Sequence, residues 1–196
     1  MRLILASASP RRAEILSDAG IAFEVLAVNV DETPRGGERA EAMCRRLAEA
    51  KARAAVVRLG AASEPTIVAA ADTTVEIDGE ILGKPESAED ARRILRRLSG
   101  KTHRVLTAFS LVRLPDGAAR SGLESTEVRF SPLSAREIDE YVATGEPLDK
   151  AGAYAIQGRA GVFIERIDGC YFNVVGLPLA RLYRHLKELG WSSSGV

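Results

Sequence analysis

Two stretches of this chain, Leu3–Ala6 and Ile67–Ala71, are apolar without a break, and each runs straight into a polar cluster. A strand with one solvated face alternates apolar and polar residues, so a run with no polar position predicts a strand covered on both sides. Helical patterns lie between such runs, and alternating patterns follow later in the chain. The sequence therefore predicts an α/β or α+β chain with a mixed sheet and flanking helices. Ligands in such sheets tend to sit at the carboxyl ends of the strands, where these polar clusters fall.

The first strand is expected over Arg2–Ala6. Ser9 as N-cap and Pro10 at the first helical position then start a helix that Gly20 ends. A second strand is read over Phe23–Val30, closing on Asp31-Glu32, and a long helix from about Glu41 to Leu59. The next strand, Thr66–Ala71, is expected to stop at Asp72. Val75–Ile81 reads as a hairpin turning at Asp78-Gly79, followed by a helix over Ser87–Leu98. His103–Arg113 and Glu124–Phe130 should pair antiparallel. Ser134 and Glu137 form a capping box for a helix through Val142. A glycine-containing loop over 145–161 leads to a strand pair, Val162–Ile167 with Cys170–Val174, and to a last helix over Leu177–Leu189. The length of 196 residues fits one domain. That domain is placed at 1–190, with a flexible tail over 191–196.

Composition narrows the chemistry. Lys plus Arg equals Asp plus Glu, 27 each, so no bulk charge draws the chain to nucleic acid or a membrane, and anion binding must come from local clusters. Cys44 and Cys170 match no metal or redox spacing and are expected to be reduced thiols. His103 and His185 have no second ligand nearby, which argues against zinc. The apolar run at the N-terminus is too short for a signal peptide, and none approaches the ~20 residues of a membrane span. A soluble, cytoplasmic protein is the expectation.

Three polar clusters close apolar runs. Ser7–Arg12 offers two hydroxyls, two guanidiniums and the free N–H groups of a helix start, a set suited to phosphate. Alone it is equally a capped helix with solvated arginines. Asp72 emerges from an apolar run as a turn residue, a helix cap, a metal ligand or a general base. Asp31-Glu32 ends another strand, and carboxylates from two strand ends can share Mg²⁺ with substrate phosphate oxygens. Lys84 sits in a rigid Gly-Lys-Pro loop and Lys51 on a helix; each alone is a solvated surface lysine. Together these residues read as metal–triphosphate chemistry. There is no Ser-His-Asp order, no Cys-His pair and no Gly-x-Gly-x-x-Gly, so acyl transfer and dinucleotide binding lack support.

The series "LASASPRRAEIL", "VDET", Lys51-Ala52, "AADTTV", "GKP", "LSGKTHRVLTA", "EPLDKAGAYAIQG" and "NVVGLPL" runs in order from Leu3 to about Leu189. It resembles the Maf family of nucleoside triphosphate pyrophosphatases. The resemblance implies a twisted mixed sheet in two lobes around a central cleft, similar to the inosine-triphosphate pyrophosphatases, in a cytoplasmic protein that is often a homodimer. It implies hydrolysis of a nucleoside triphosphate to monophosphate and pyrophosphate with a divalent cation, Mg²⁺ or Mn²⁺. By matching position, Asp72 is the catalytic aspartate. Glu32, Lys51 and Lys84 match the family's other polar cleft residues, and Ser7, Ser9 and Arg12 its phosphate-binding opening. Glu32 and Asp72 are the two strand-end carboxylates expected to hold the metal.

Three positions sort the family's branches. The dTTP/UTP branch carries Arg after the proline, Thr after the catalytic Asp and Gln in "IQG"; here these are Arg11, Thr73 and Gln157. The 7-methyl-GTP branch carries Trp, Gln and Glu instead. A Gln amide both donates and accepts, which suits the O4/N3–H edge of uracil or thymine. The leading expectation is a dTTP/UTP pyrophosphatase, modified pyrimidine nucleotides included. The alternatives are a 7-methyl-GTP pyrophosphatase, and a non-catalytic nucleotide-binding regulator, since the family is also associated with arrested septum formation.

Overall fold

The first strand is nearly as short as its apolar run. In the computed structural model, which describes residues 1–62 and 64–192, β1 (Arg2–Leu5) lies between two parallel neighbours. It pairs with β2 (Glu24–Val25) through Ile4 and Leu5, and with β3 (Thr66–Ile77) from Arg2↔Thr66 to Leu5↔Ala69. β3 turns through Asp78-Gly79 into antiparallel β4 (Glu80–Leu82). Both turn residues have positive φ, 53° and 79°, as a two-residue hairpin requires. β5 (Thr102–Leu114) and β6 (Ala119–Phe130) are neighbours, and β7 (Ile164–Asp168) pairs antiparallel with β6. The bonds Arg113 N–H to Ala118 O and Phe130 N–H to Lys101 O fit one antiparallel register between β5 and β6. Among the described residues the order is β2-β1-β3-β5-β6-β7, with β4 on β3. The mixed sheet with flanking helices expected from the sequence is what forms.

The chain divides into two compact units: Met1–Asp72, Thr107–Glu124 and Gly176–Val196 form one, and Thr73–Leu106 with Ser125–Val175 the other. In the first, α1 (Pro10–Asp18), α2 (Ala40–Leu59) and α6 (Leu179–Glu188) accompany the parallel strands. The buried residues of α2 are Ala40, Cys44, Leu47, Ala48, Lys51, Ala52 and Ala55, a line with helical spacing. Ala52 and Ala55 pack on Ile4, Ala6, Val68 and Ala70. Small residues on both surfaces let the helix lie close to the strands.

The second unit holds the larger side chains. α3 (Ala88–Leu98) is capped by Ser87, whose hydroxyl accepts from Asp90 N–H, and buries Ala91, Ile94, Leu95 and Leu98 on one face. α4 (Ala135–Val142) begins with the expected Ser134/Glu137 capping box. Both pack on a core that includes Ile77, Leu82, Phe130 and Phe163. Each such side chain contributes about 1.5–3 kcal/mol when removed from water.

Several elements differ from the sequence reading, each for a local reason. The second strand shrinks to Glu24–Val25 because β1 offers it only Ile4 and Leu5 as register partners; the last bond is Leu26 N–H to Leu5 O, and Arg58 takes the Ala27 carbonyl. The third strand does not stop at Asp72 but continues to Ile77, because β4 supplies a new partner. Tyr171–Val175 is a short helix, α5, rather than a strand. Its buried Asn173 donates to Val105 O and Thr126 Oγ1, and Thr126 Oγ1 also accepts from Cys170 N–H, so the chain is turned back at once. A five-residue stretch, here apolar but for Asn173, cannot distinguish helix from strand by period. Residues 145–161 contain short 3₁₀ turns rather than an open loop. Trp191, placed in the tail by sequence, is buried edge-on against Tyr183. Residues 193–196 lie outside the described residues. No described helix is long and apolar enough to cross a membrane.

Candidate functional site

Lys51 is the one charged member of the buried line on α2. Its Nζ lies 2.6 Å from Asp72 Oδ1 and 2.6 Å from Glu32 Oε1. Asp72 sits within β3 and is 7% exposed, so its carboxylate must be paired to be tolerated. Cys44, two helical turns before Lys51, holds the backbone at the same residue. Its Sγ donates to Asp72 O at 3.0 Å and accepts from Ala108 N–H at 3.1 Å.

Glu32 comes from an irregular segment, yet that segment is fastened to α2. Arg46 grips Glu38 with two nitrogens at 2.7 Å each and reaches Thr33 O at 3.2 Å. This grip draws the Glu38 carboxyl down to about 2. Asp31 Oδ1 accepts from Thr33 N–H at 2.9 Å, and its pKa falls through its bonds to Thr33. One helix thus carries both Lys51 and the anchor of the segment presenting Glu32.

After β1, Ser7 Oγ accepts from Ser9 N–H (3.2 Å) and from an Arg12 terminal nitrogen (3.1 Å). Arg12 Nε donates to Gly176 O at 2.8 Å. Burial lowers the Arg12 pKa, while Asp72 acts most strongly in the opposite direction; a guanidinium in such company stays charged. Ser9 occupies the N-cap position, but its hydroxyl makes no capping bond, and Pro10 follows at the first helical position. Arg11 is half-buried.

The first unit therefore gathers Asp72, Lys51 and Glu32 in direct contact, and Ser7 with Arg12. Ser9 and Arg11 belong to the same unit, whereas Thr73, Lys84 and Gln157 belong to the second. Thr73 follows Asp72 on the strand, on its opposite face, and is half-buried. Lys84 is exposed in its Gly-Lys-Pro loop, where Gly83 O accepts from Gly152 N–H at 3.0 Å. Gln157 is exposed in the turn closed by Gly158 N–H to Ala155 O. The sequence reading missed Cys44 and the Arg46–Glu38 grip. Cys44 was findable, because it falls on the same helical line as Lys51; the Arg46–Glu38 pair, eight residues apart, leaves no periodic signal.

Asp72 and Glu32 supply oxygen donors of the kind hard divalent cations take, and both point at one ammonium. Among the described residues no group of three His, Cys, Asp or Glu side chains converges. The pair fits a cation that completes its shell with phosphate and water oxygens.

Residues 2–189 match the family described as Maf-like protein. The dTTP/UTP pyrophosphatase of Aromatoleum aromaticum is 51% identical over 201 residues, covering 97% of this chain and 96% of its own. The dTTP/UTP pyrophosphatase of an Anaeromyxobacter species is 50% identical, covering 99% and 94%. Among solved structures, the Staphylococcus aureus Ham1 protein aligns with a TM-score of 0.53 at 18% identity, over 96% of this chain and 100% of that one. At that identity the likeness is one of fold.

Proposed function

The chain belongs to the Maf family, and from that premise we propose that it hydrolyses dTTP and UTP to the monophosphate and pyrophosphate. The observation that carries the reading is the buried Asp72 carboxylate held on Lys51 with Glu32 on the same ammonium. The substrate follows from relatives about half identical over nearly the whole chain, and from Arg11, Thr73 and Gln157, all of the pyrimidine-branch type.

In this reading water attacks the α-phosphorus, and the bond from that phosphorus to the oxygen of the leaving pyrophosphate breaks. Asp72 takes the proton of the attacking water. Ser7, Ser9 and Arg12 donate to phosphate oxygens, and Lys51 and Lys84 offset the charge that develops on pyrophosphate. A divalent cation, when bound through Asp72 and Glu32, polarises the phosphate oxygens as a Lewis acid. Gln157 pairs with the O4/N3–H edge of the base. The reading carries with it a homodimer, a cytoplasmic location and nucleotide-pool housekeeping.

Ion-exchange analysis of products from dTTP, UTP, dCTP, GTP and 7-methyl-GTP, with Mg²⁺ and with chelator, tests it. Chelator-sensitive monophosphate and pyrophosphate from dTTP and UTP is the expected result. Preference for 7-methyl-GTP overturns the base assignment, and a folded protein that turns over none of the five overturns the activity.

A further inference from the structure

Gln157 stands on a turn whose two stems are held by one pair of side chains. Ala155 O accepts from Gly158 N–H at 3.3 Å, which closes the turn around Gln157. On the far stem, Glu146 Oε2 accepts from Arg159 N–H at 3.2 Å. On the near stem, the Tyr141 hydroxyl faces the Ala155 backbone N–H, whose field favours the phenolate and so opposes the rise of its pKa. The two anchors are joined, because the Tyr141 hydroxyl donates to Glu146 Oε1 at 3.1 Å. Burial, and then the Glu146 charge, push the Tyr141 phenol above its usual range, so it remains a donor.

Gly158 makes this arrangement possible. A Cβ there would fall 2.1 Å from Glu146 Oε1, so the carboxylate lies where any other side chain would begin. Its φ is −137°, an ordinary extended value, so the glycine answers to the close approach and not to backbone strain. Glu146 is itself fixed: its N–H donates to Thr144 Oγ1 at 3.1 Å, and Lys150 Nζ donates to its carbonyl at 2.7 Å. Tyr154, one residue before the near stem, is tied to His103 Nε2 at 2.7 Å. The segment flanking Gln157 is thus fastened at Tyr154 before it and at Arg159 after it.

We propose that Glu146, acting with Tyr141, is a positioning residue for base selection: it holds the 155–159 turn so that the Gln157 amide meets the pyrimidine edge in one orientation. The inference rests on the reading that Gln157 contacts the base. An amide that donates and accepts at once discriminates only while its plane is fixed; a mobile one pairs with several bases about equally.

The test compares kcat and KM for dTTP and dCTP in Glu146→Ala, Glu146→Gln, Tyr141→Phe and Gln157→Ala proteins, and in the double variant Glu146→Ala/Gln157→Ala. Glu146→Ala should raise KM for dTTP about tenfold, narrow the dTTP-over-dCTP ratio of kcat/KM at least about fivefold, and leave kcat within about twofold. Glu146→Gln keeps one acceptor oxygen for the Arg159 N–H and turns its amide N–H towards the Tyr141 hydroxyl oxygen, so it should recover part of the ratio. Tyr141→Phe keeps the ring in the core and should narrow the ratio in the same direction, even where Glu146→Ala does not fold. In the double variant the ratio should be no narrower than in Gln157→Ala alone. A uniform loss on both substrates with an unchanged ratio makes Glu146 structural and overturns the proposal. If Gln157→Ala narrows the ratio while Glu146→Ala and Tyr141→Phe do not, the positioning role falls and the base contact stands. An unchanged ratio in Gln157→Ala overturns the base contact, and the proposal with it.

Discussion

Lys51 Nζ and Asp72 Oδ1 are 2.6 Å apart, and both side chains are almost entirely buried, whereas Glu32, the second carboxylate on that ammonium, is half exposed. The contact is therefore asymmetric. Removing the Asp72 charge leaves Lys51 with Glu32. Removing Lys51 leaves a buried carboxylate without its ammonium, a much worse situation.

Stability and turnover should separate along that line. Asp72→Asn should cost about 1 kcal/mol in urea unfolding while lowering kcat by about a thousandfold. Lys51→Met should cost about 3–5 kcal/mol, and the double variant Lys51→Met/Asp72→Asn should regain part of that loss. Near-normal turnover by folded Asp72→Asn protein removes Asp72 from the mechanism. Equal stability of the two single variants shows that the pair is effectively solvated.

Glu32 gives a way to examine the metal without disturbing the core. Glu32→Gln keeps an oxygen near Lys51 but supplies a far weaker donor to a hard cation. Half-saturating Mg²⁺ for dTTP hydrolysis should rise about tenfold or more, and Mn²⁺ binding followed by its paramagnetic resonance signal should weaken in parallel. Unchanged Mn²⁺ binding rules Glu32 out as a ligand.

Much of the fold and part of the site are legible in the sequence, for reasons that differ by residue. Uninterrupted apolar runs locate β1 and β3, and the Asp78-Gly79 and Ser134–Glu137 signals fix a turn and a helix start to the residue. Asp72 stands out in the sequence as a residue of interest, but at an expected strand end. Whether a strand continues past a carboxylate depends on the partner β4 and on Lys51, neither of which is local information. The spacing of Cys44, Leu47, Ala48, Lys51 and Ala55 is helical, yet a lysine taken alone reads as a solvated one. Lys51 is buried because Asp72 and Glu32 both meet its ammonium, which is not local information. The Tyr141–Glu146–Arg159 arrangement carries no such signal, since nothing periodic relates a carboxylate to a backbone N–H thirteen residues away.

The two thiols should report the fold directly. Cys44 is fully buried with its sulfur between Asp72 O and Ala108 N–H, while Cys170 is partly exposed. A thiol reagent should therefore react with one cysteine in native protein and with two in denaturant, and mass spectrometry should place the fast adduct on Cys170. Cys44→Ser retains a donor and an acceptor and should cost less than Cys44→Val. The latter leaves the buried Ala108 N–H unsatisfied, at about 1–3 kcal/mol. Equal stability of the two variants shows that the sulfur only fills space.

His103 should make the protein acid-sensitive in a defined window. Its ring is buried edge-on to Phe130, with Nε2 at 2.7 Å from the Tyr154 hydroxyl, and desolvation depresses its pKa from 6.5 to about 4. Below pH 6.5 the unfolded chain takes up a proton at His103 that the folded chain refuses until about pH 4. The stabilisation is thus complete above pH 6.5, declines as the pH falls towards 4, and has no more to lose below that. Two and a half pH units correspond to about 3 kcal/mol. Wild-type urea unfolding measured from pH 7.5 to 4.5 should show this decline on top of that of the carboxylates. A His103→Phe/Tyr154→Phe variant, which removes the titrating ring and does not strand the tyrosine hydroxyl, should start less stable at pH 7.5 and fall less steeply. Parallel curves would mean that the folded protein admits a proton at His103 as readily as the unfolded chain, and that the ring is not sealed in the core.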